Sequence, residues 1–331
     1  MIVKRLEDLT ETEVHAWRAL YRRRGRGIQH SPDYAQALTT AGMQVVVAMG
    51  EDIVALATIG RDTATICSTD SPVVAAHGVE RSQLGPAIQS LRSTTGLSVY
   101  IPLVDARYRW VSRLGAFSTW DRSPNSTVDW STEGQDLMER VADRGGSQLL
   151  RKRRSVERAG LTLDFDRAGV ESAREMLTVD DRSWKADTGQ SMRQRGQASM
   201  YTSLLVAEVV HVTFLRDGAR PVAFQVYARL GDRLTCLKAS YDLAYSKFSP
   251  GFYLMTTGLV EQWANQGIRV VDLFGGPDRM KEFIYSRRHP RIDIWFGDPK
   301  RREELQQERQ AHDARVSTVV ALGKGLRHVF D

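Results

Sequence analysis

The sequence predicts a mixed α/β (α+β) protein of two tandem halves. Each half is expected to be a mostly antiparallel central sheet flanked by helices, and a C-terminal helix follows. Three observations predict this class. The order strand, hairpin, strand, helix, strand occurs twice along the 331 residues. Glycine-containing turns separate short apolar runs, and the length suits two domains of moderate size. The halves share no obvious residue-level repeat, so the duplication rests on element order alone.

The first half, residues 1–134, is predicted from its turn and cap signals. Two apolar runs joined by Gly50, Glu51 and Asp52 are typical of a β-hairpin. Gly115 follows the last helical pattern, as a C-terminal glycine does. The predicted elements are a helix over 12–24, strands over 43–49 and 53–59, a helix over 83–94, a strand over 97–104, a helix over 108–114 and a strand over 127–130.

The second half, residues 161–298, repeats this order after a basic helical connector over 135–160 that Gly160 ends. A highly charged helical tail over 299–331 closes the chain. The predicted elements are a strand over 161–165, helices over 170–185 and 200–209, strands over 210–216, 222–230 and 234–240, a helix over 250–266 and a strand over 268–274.

The composition is that of an ordinary globular protein, because 42% of the residues are hydrophobic and 26% are charged. No apolar run approaches the roughly 18 residues that cross a bilayer, and the N-terminus lacks the apolar core of a secretory signal. Cys67 and Cys236 lie far apart, which suits buried thiols in a reducing compartment. We therefore expect a cytoplasmic protein without a membrane span.

The charge is unevenly distributed. The formal net charge is +6 and the pI is about 9.4. Basic clusters of this kind attract phosphates, coenzyme tails or RNA, although a solvated basic face is the alternative for each. The clusters are Arg22, Arg23, Arg24 and Arg26; Arg151, Lys152, Arg153 and Arg154; and Arg287, Arg288 and Arg291.

The helix predicted over 250–266 has the clearest end signals. Ser249 is a favourable N-cap residue, Pro250 suits the first helical position, and Gly267 suits the left-handed residue that ends a helix. An apolar stripe at helical spacing indicates a face packed in the core rather than a cofactor site. The stripe consists of Phe252, Met255, Leu259 and Trp263, with Val260 and Ala264 alongside.

The N-terminal end of this helix is a candidate phosphate site. The amides of Gly251, Phe252 and Tyr253 would be the first N–H groups of the helix, at the positive end of its dipole. Gly251 permits close approach of a ligand, and Lys247 adds a charge. The alternative is that Ser249, Pro250 and Gly251 only cap the helix.

The segment KASYDLAYSKFSPGFYLMTTGLVEQWANQGIRVVDLFGGPDRMKEF, residues 238–283, resembles the C-terminal part of the CelD-like acyltransferases of the GNAT superfamily. In that family a strand, a Ser-Pro-Gly-type turn, a helix, a strand with Asp and a Gly-Gly…Lys segment follow in this order. The resemblance is good over 160–288 and implies two GNAT-like halves, the second catalytic. The matching residues are Tyr241, Ser249, Pro250, Gly251, Asp272, Gly275, Gly276 and Lys281, with Ser183, Trp184, Lys185 and the basic residues 151–154 upstream.

The resemblance implies an N-acyltransferase that moves an acyl group from acetyl-CoA or another acyl-CoA to an amine of a small molecule, sugar or amino acid. The glycine-rich loop usual in acetyl-CoA enzymes is missing, since 243–251 contains one glycine. The chain is also similar to the Fem-type transferases, which have two such halves and use aminoacyl-tRNA. A non-catalytic nucleic-acid-binding protein is a third alternative, disfavoured because few aromatic residues lie among the basic clusters.

Candidate catalytic residues follow from the resemblance and from burial arguments. Asp272 lies in an apolar strand, where a carboxylate needs a partner or a function. It would orient the amine or accept its proton, the alternative being a salt bridge or a cap. Tyr285 would protonate the leaving group, in competition with Tyr241 and Tyr253. Backbone N–H groups over 238–241 would hold the carbonyl oxygen.

The remaining candidates would bind substrate. Lys281 and Arg153 would hold an acidic acceptor or a phosphate, and Trp184 and Lys185 would close the acceptor side. Packing or a surface position is the alternative for each. No tightly bound cofactor and no metal are expected, because the histidines lack partners at ligand spacing. Acyl-CoA or aminoacyl-tRNA would be the donor co-substrate, and nothing in the sequence identifies the acceptor or the oligomeric state.

Overall fold

The computed structural model describes residues 1–25, 27–68, 71–114, 117–129, 137–261, 266–274 and 280–308. Its first half contains three α-helices and seven strands among these residues. The elements are β1 Ile2–Arg5, α1 Glu11–Arg24, α2 Pro32–Thr40, β2 Gln44–Met49, β3 Ile53–Ile59, β4 Thr63–Ile66, β5 Val74–Ala75, α3 Glu80–Thr95, β6 Ser98–Asp105, a 3-10 helix Ala106–Leu114 and β7 Phe117–Asp129.

The second half follows two connecting helices, α4 Leu137–Asp143 and α5 Ser147–Arg158. Residues 299–308 are again helical. The elements between are β8 Thr162–Arg167, α6 Gly169–Asp181, α7 Trp184–Asp187, α8 Ala198–Val206, β9 His211–Asp217, β10 Arg220–Leu230, β11 Arg233–Tyr241, a 3-10 helix Leu243–Phe248, α9 Pro250–Tyr253 continued by a π-helix Leu254–Glu261, β12 Val270–Asp272, α10 Lys281–Ile284 and β13 Arg287–Phe296.

The thirteen strands of the described residues form one sheet in the order β1-β2-β3-β4-β6-β13-β7-β12-β11-β10-β9-β8, and β5 pairs with β3. Each half contributes the same five-strand pattern. In β1-β2-β3-β4-β6 and in β8-β9-β10-β11-β12 the first four strands are antiparallel, and the fifth is parallel to the fourth. The predicted fold class is therefore confirmed. The duplication that the element order indicated is present in the topology.

The last strand of each half crosses to the other half. β7 pairs with β12, and β13 pairs with β6, while β7 and β13 pair with each other at the centre. The predicted boundary after residue 134 stays a prediction, but the strand pairing extends across it. Neither half contains all the strands of its own side of the sheet.

A buried carboxylate fastens this crossing. Asp293 on β13 is 0% exposed and accepts hydrogen bonds from the Tyr100 hydroxyl (2.5 Å) and the Leu103 amide (2.7 Å) of β6. The Arg122 guanidinium of β7 lies 3.4 Å away. Leu103 has a φ of +55°, which is unfavourable for a side chain with a Cβ, so the bond to its amide helps to hold a strained turn.

One hydrophobic cluster joins the two halves on one face of the sheet. Trp17 of α1 is 1% exposed, and its indole donates to the His30 carbonyl (2.8 Å). The cluster continues through α2 into α6 and α8 of the second half, where Met176 and Leu204 are fully buried. Burial of these large side chains stabilises the packing of the two halves against each other. No helix among the described residues has both the length and the apolarity needed to cross a bilayer.

Several element predictions are corrected. The helix predicted over 108–114 is a 3-10 helix, and Gly115 lies outside the described residues. The helix predicted over 250–266 begins at Pro250 as expected, but it widens into a π-helix after Tyr253. The Thr256 hydroxyl donates to the Phe252 carbonyl (2.8 Å), and such back-bonding competes with the α-helical ladder. Strands β1, β4, β5 and β13 and helix α2 were not predicted.

Replacement of Asp293 by Ala is expected to destabilise the fold by about 2–4 kcal/mol, because the Leu103 amide loses its acceptor and the half-buried Arg122 guanidinium loses a carboxylate partner. Urea unfolding followed by circular dichroism measures the change. Asp121→Ala on β7 is the matched control, since that side chain is 80% exposed and its loss should change stability little. Equal destabilisation by both variants would contradict a fastening role for Asp293.

Candidate active site

The parallel pairing of β11 and β12 ends early. Only three residue pairs form, and Thr235 opposite Asp272 is the last. On the other side of β11, Val226 of β10 opposes Lys238 while Tyr227 opposes Cys236, so Leu237 is the extra residue of a β-bulge. Bulges re-aim side chains and end strand pairing, and they are common beside functional sites.

A cavity of about 210 Å³ opens at this point. We call it the strand-end cavity. Helices α2 of the first half and α8 of the second half pack together over it, so both halves contribute to its wall. Its lining mixes aromatic, aliphatic and amide side chains, as small-molecule sites commonly do. The lining residues are Gln29, Tyr34, Gln197, Met200, Tyr201, Leu204, Leu237 and Phe274.

Two buried groups hold one wall of the strand-end cavity. Phe274 has a φ of +40°, and its turn is fixed at both ends of the residue. The Asp272 carboxylate accepts from the Phe274 amide (2.9 Å), and the Lys281 ammonium donates to the Phe274 carbonyl (2.7 Å). A strained backbone conformation that is held by hydrogen bonds on both sides is common at functional sites.

Asp272 has further protein partners. The Asn125 side chain of β7 donates to the same carboxylate oxygen (2.8 Å), and the Arg233 guanidinium lies 3.7 Å from the other oxygen. These contacts give Asp272 and Lys281 structural roles, since both stabilise the Phe274 turn. Catalysis by Asp272 and acceptor binding by Lys281 stay predictions.

Lys238 lies beside the strand-end cavity, and Lys185 lies close enough to Lys238 to be affected by its charge. The Lys238 ammonium donates to Gln197 (3.1 Å), one of the lining residues. The Lys185 ammonium donates to the Ala239 carbonyl of β11. Burial, together with the nearby charge of Lys238, lowers the pKa of Lys185 to about 8. Burial likewise lowers the pKa of Lys238, while fully buried Asp180 opposes both shifts. A lysine with a pKa near 8 exchanges its proton readily at neutral pH.

Two tyrosine hydroxyls of the strand-end cavity are available to a ligand. Tyr34 and Tyr201 both line it, and neither hydroxyl has a hydrogen-bond partner among the described residues. Burial raises the pKa of both tyrosines well above the usual value, so both stay protonated. A neutral hydroxyl can donate to a developing oxyanion or to a leaving group. The sequence carries no motif around either residue, and only tertiary packing brings them together.

The predicted tyrosines lie elsewhere. Tyr241 and Tyr253 pack in one hydrophobic cluster, on the side of β8 and α5. Tyr285 belongs to a different cluster, and the guanidiniums of Arg144 and Arg288 each lie 4.3 Å from its ring centre. The structure therefore does not bring the three candidates together, and a proton-donating role for any of them stays a prediction.

At the start of α9, the N–H groups predicted to bind phosphate are partly used in hydrogen bonds within the chain. Ser249 occupies the N-cap position in the left-handed region, and its side chain makes no capping bond. The amides of Phe252 and Tyr253 donate to the Ser249 carbonyl at 3.0 and 3.4 Å, so two of the three proposed donors are engaged. Space remains at Gly251, where an added Cβ would approach nothing closer than Tyr241 at 3.9 Å.

A basic surface adjoins this helix start. Helix α5 packs against α9 and the 3-10 segment before it. Arg151 and Arg154 of α5 are exposed, as is Lys247. Arg153 pairs with Glu157 (3.5 Å) and is less exposed. An anionic tail bound here would meet at least three positive charges.

Trp184 and Lys185, which were predicted to close the acceptor side of the site, lie at the start of α7 and are positioned by local contacts. The Ser183 hydroxyl caps α7 by accepting from the Lys185 amide (3.2 Å), which fixes the start of the helix that carries Trp184 and Lys185. The Lys185 ammonium lies 6.0 Å from the centre of the Trp184 ring. No three His, Cys, Asp or Glu side chains of the described chain come together as metal ligands would.

The corresponding strand end in the first half is filled. β4 and β6 are also parallel for three pairs, the last being Thr65 opposite Tyr100. Beyond it, the Ser68 hydroxyl donates to the Pro102 carbonyl of β6. The chain that follows β4 thus stays joined to β6, in contrast to the second half, where the strand-end cavity lies.

Residues 144–282 match the family model described as an acetyltransferase (GNAT) domain. The sequence resemblance to GNAT enzymes is thereby confirmed. The matched residues include β11, β12 and most residues around the strand-end cavity. No curated protein matches the chain.

Solved structures are similar over nearly the whole chain, at sequence identities that show the fold alone. The C-terminal domain of a putative lysylphosphatidylglycerol synthetase from Agrobacterium fabrum gives a TM-score of 0.64 at 12% identity, covering 89% of this chain and 94% of that one. FemX gives 0.62 at 10% identity, with 92% and 99% covered. A tandem GNAT protein from the clavulanic acid biosynthesis pathway gives 0.50 at 12%, with 89% and 97% covered.

The lowered pKa of Lys185 makes stability depend on pH. The folded-state pKa lies near 8 against 10.5 for the ordinary side chain, so the unfolded chain binds more protons between these values. Stability contributed by this residue is therefore reduced below pH 8 and rises as the pH increases toward 10.5.

Lys185→Met is expected to shift this dependence. As the pH rises from about 7.5 to about 9.5, the unfolding free energy of the wild type should increase relative to that of the variant. Urea titration at each pH measures both values. Lys247→Met, which removes an exposed lysine, controls for the loss of one positive charge. A wild-type-to-variant difference that is constant with pH would contradict the assignment.

Proposed function

We propose that the protein is an acyltransferase that moves an acyl group from an activated donor to a primary amine in the strand-end cavity. One observation carries the proposal. At the end of the β11–β12 pairing, two protonated tyrosine hydroxyls line the cavity. The lining residue Gln197 accepts a hydrogen bond from Lys238, and the charge of Lys238 contributes to the lowered pKa of Lys185. Acyl transfer needs a proton acceptor for the amine and a hydrogen-bond donor for the oxyanion, and these side chains can provide both.

In the proposed reaction the amine nitrogen forms a bond to the acyl carbonyl carbon, and the bond from that carbon to the donor's sulfur or oxygen breaks. Lys185 in its neutral form takes the proton of the attacking amine. The hydroxyls of Tyr34 and Tyr201 donate hydrogen bonds to the carbonyl oxygen as it gains charge, and the proton that Lys185 has taken passes to the departing sulfur or oxygen. The bulge at Leu237 places its backbone beside the same space.

We propose acyl-CoA as the donor, because the matched family is an acetyltransferase domain and the surface beside α9 suits a phosphate-bearing tail. Arg151, Arg154 and Lys247 would hold that tail, and Gly251 would let it approach the backbone. The acceptor would be a small molecule, sugar or amino acid with a primary amine.

Aminoacyl-tRNA is the second candidate donor, and the whole-chain likeness to FemX and to the lysylphosphatidylglycerol synthetase domain favours it. The Lys185 ammonium also occupies the Ala239 carbonyl, on the strand edge that the amides of a pantetheine arm could otherwise bind. The exposed arginines of α5 suit an RNA backbone as well as a coenzyme tail.

Loss of the proton acceptor should reduce turnover strongly. We expect Lys185→Met to lower kcat about 100-fold or more and to remove the limb of the pH–rate profile near pH 8. Tyr201→Phe should lower kcat about 10- to 1,000-fold without altering that limb. Release of free thiol from acetyl-CoA, with a panel of primary amines, measures the rates. Unchanged rates in both variants would contradict the proposal that acyl transfer takes place in the strand-end cavity.

The donor can be identified by native mass spectrometry of the protein with acetyl-CoA and with charged tRNA. We expect a saturable acetyl-CoA adduct at micromolar concentration that weakens in the Arg151→Ala/Arg154→Ala double variant. Arg22→Ala/Arg23→Ala removes the same charge from exposed positions on α1 and is the control. A tRNA complex that weakens steeply with salt, without a coenzyme adduct, would instead assign aminoacyl-tRNA.

A further inference from the structure

A second cavity of about 210 Å³ lies in the first half, between the start of α3 and the 3-10 helix Ala106–Leu114. We call it the arginine–aromatic cavity. None of its residues takes part in the proposed reaction. Its wall contains two aromatic rings, two guanidiniums and one carboxylate. The lining residues are Glu80, Arg81, Arg107, Tyr108 and Trp110.

Each guanidinium of this cavity lies over one of its two aromatic rings, and the two rings are close together. The Arg107 guanidinium lies over the Tyr108 ring at 5.1 Å, and the Arg81 guanidinium lies over the Trp110 ring at 6.0 Å. The two ring centres are 6.5 Å apart. Both arginines are exposed, and neither forms an ion pair with a described residue. Their full charge is therefore available to an anion, and their contacts with the rings limit their motion.

The floor of the cavity is fixed. Tyr108 is 1% exposed, and its hydroxyl is within hydrogen-bond distance of the Ser71 hydroxyl (3.0 Å) and of one Glu80 carboxylate oxygen (2.8 Å). The other Glu80 oxygen accepts no hydrogen bond from the described residues. An acceptor is thus held at the edge of an aromatic surface that also presents two cations.

We propose that the arginine–aromatic cavity binds a nucleotide. The base would stack on Trp110, the phosphate would lie between Arg81 and Arg107, and a ribose hydroxyl would donate to Glu80. A flat ring, an anion and a hydroxyl donor are the three groups that these side chains recognise together. A simple inorganic anion would leave the indole unused, and an uncharged aromatic compound would leave both guanidiniums unused.

The same chemistry is offered by a free nucleotide and by an unpaired nucleotide of an RNA strand. Arg81 and Arg107 are exposed, so the phosphate of either would meet them at the protein surface. Its binding is independent of the proposed acyl transfer, because none of its five residues lines the strand-end cavity. Failure of one proposal therefore leaves the other standing.

Isothermal titration calorimetry of the full chain with AMP, adenosine, inorganic phosphate and a short single-stranded RNA tests the proposal. We expect AMP to bind more tightly than adenosine or phosphate alone. Trp110→Ala and Arg81→Ala/Arg107→Ala should each weaken AMP about tenfold or more. Tighter binding of the RNA, with AMP as a competitor, would identify an RNA strand as the source. Weaker or absent RNA binding would identify a free nucleotide.

Two controls separate this cavity from other basic surfaces. Arg109→Ala removes a neighbouring exposed arginine that pairs with Asp121, and it should leave AMP affinity unchanged. Arg22→Ala/Arg23→Ala removes two exposed arginines of α1, and it too should leave AMP affinity unchanged. If neither AMP nor the RNA binds, or if Trp110→Ala has no effect on the binding observed, the proposal is overturned.

Discussion

The exchange of β7 and β13 between the halves is the constraint on which the rest of the structure depends. Because β12 pairs with a strand from the first half, the position of the strand-end cavity is set by both halves together. Buried carboxylates fasten both crossings. Asp293 joins β13 to β6 and β7, and Asp272 joins β12 to Asn125 of β7. Separation of the halves would expose these charges and the shared hydrophobic cluster.

This constraint limits how the cavity can admit a ligand. Hinge motion between the two halves would have to break central strand pairs in a continuous sheet, which is costly compared with moving a loop. Access is therefore expected to come from side chains and local segments around the cavity. The strained turn at Phe274 and the π-helix after Tyr253 are irregular backbone in the second half.

Much of the local structure could be predicted from the sequence, and the long-range pairing could not. The hairpin of β2 and β3 was found to within one residue, because its turn and apolar runs are local signals. Strand β13 was not predicted because Arg287, Arg288 and Pro290 at its start are unusual in a strand. Its later residues are buried only through pairing with β6 and β7, which the sequence does not reveal. The exchange of final strands has no local signal at all.

The candidate site divides in the same way. Lys185 was noticed beside Trp184 through the family resemblance, but its lowered pKa depends on burial that the sequence does not reveal. Tyr34 and Tyr201 were missed because α2 and α8 meet only in the folded chain. The amides at Phe252 and Tyr253 were proposed as phosphate donors from cap signals, and the left-handed Ser249 instead turns its carbonyl toward them.

The hydrogen bond from Ser68 to Pro102 has a consequence for the history of the two halves. If they descend from one duplicated ancestor, the two strand ends began alike. In the first half one hydroxyl now joins the chain after β4 to β6, whereas the second half holds the strand-end cavity at the equivalent place. Such a difference between duplicated halves would let each strand end change without altering the other.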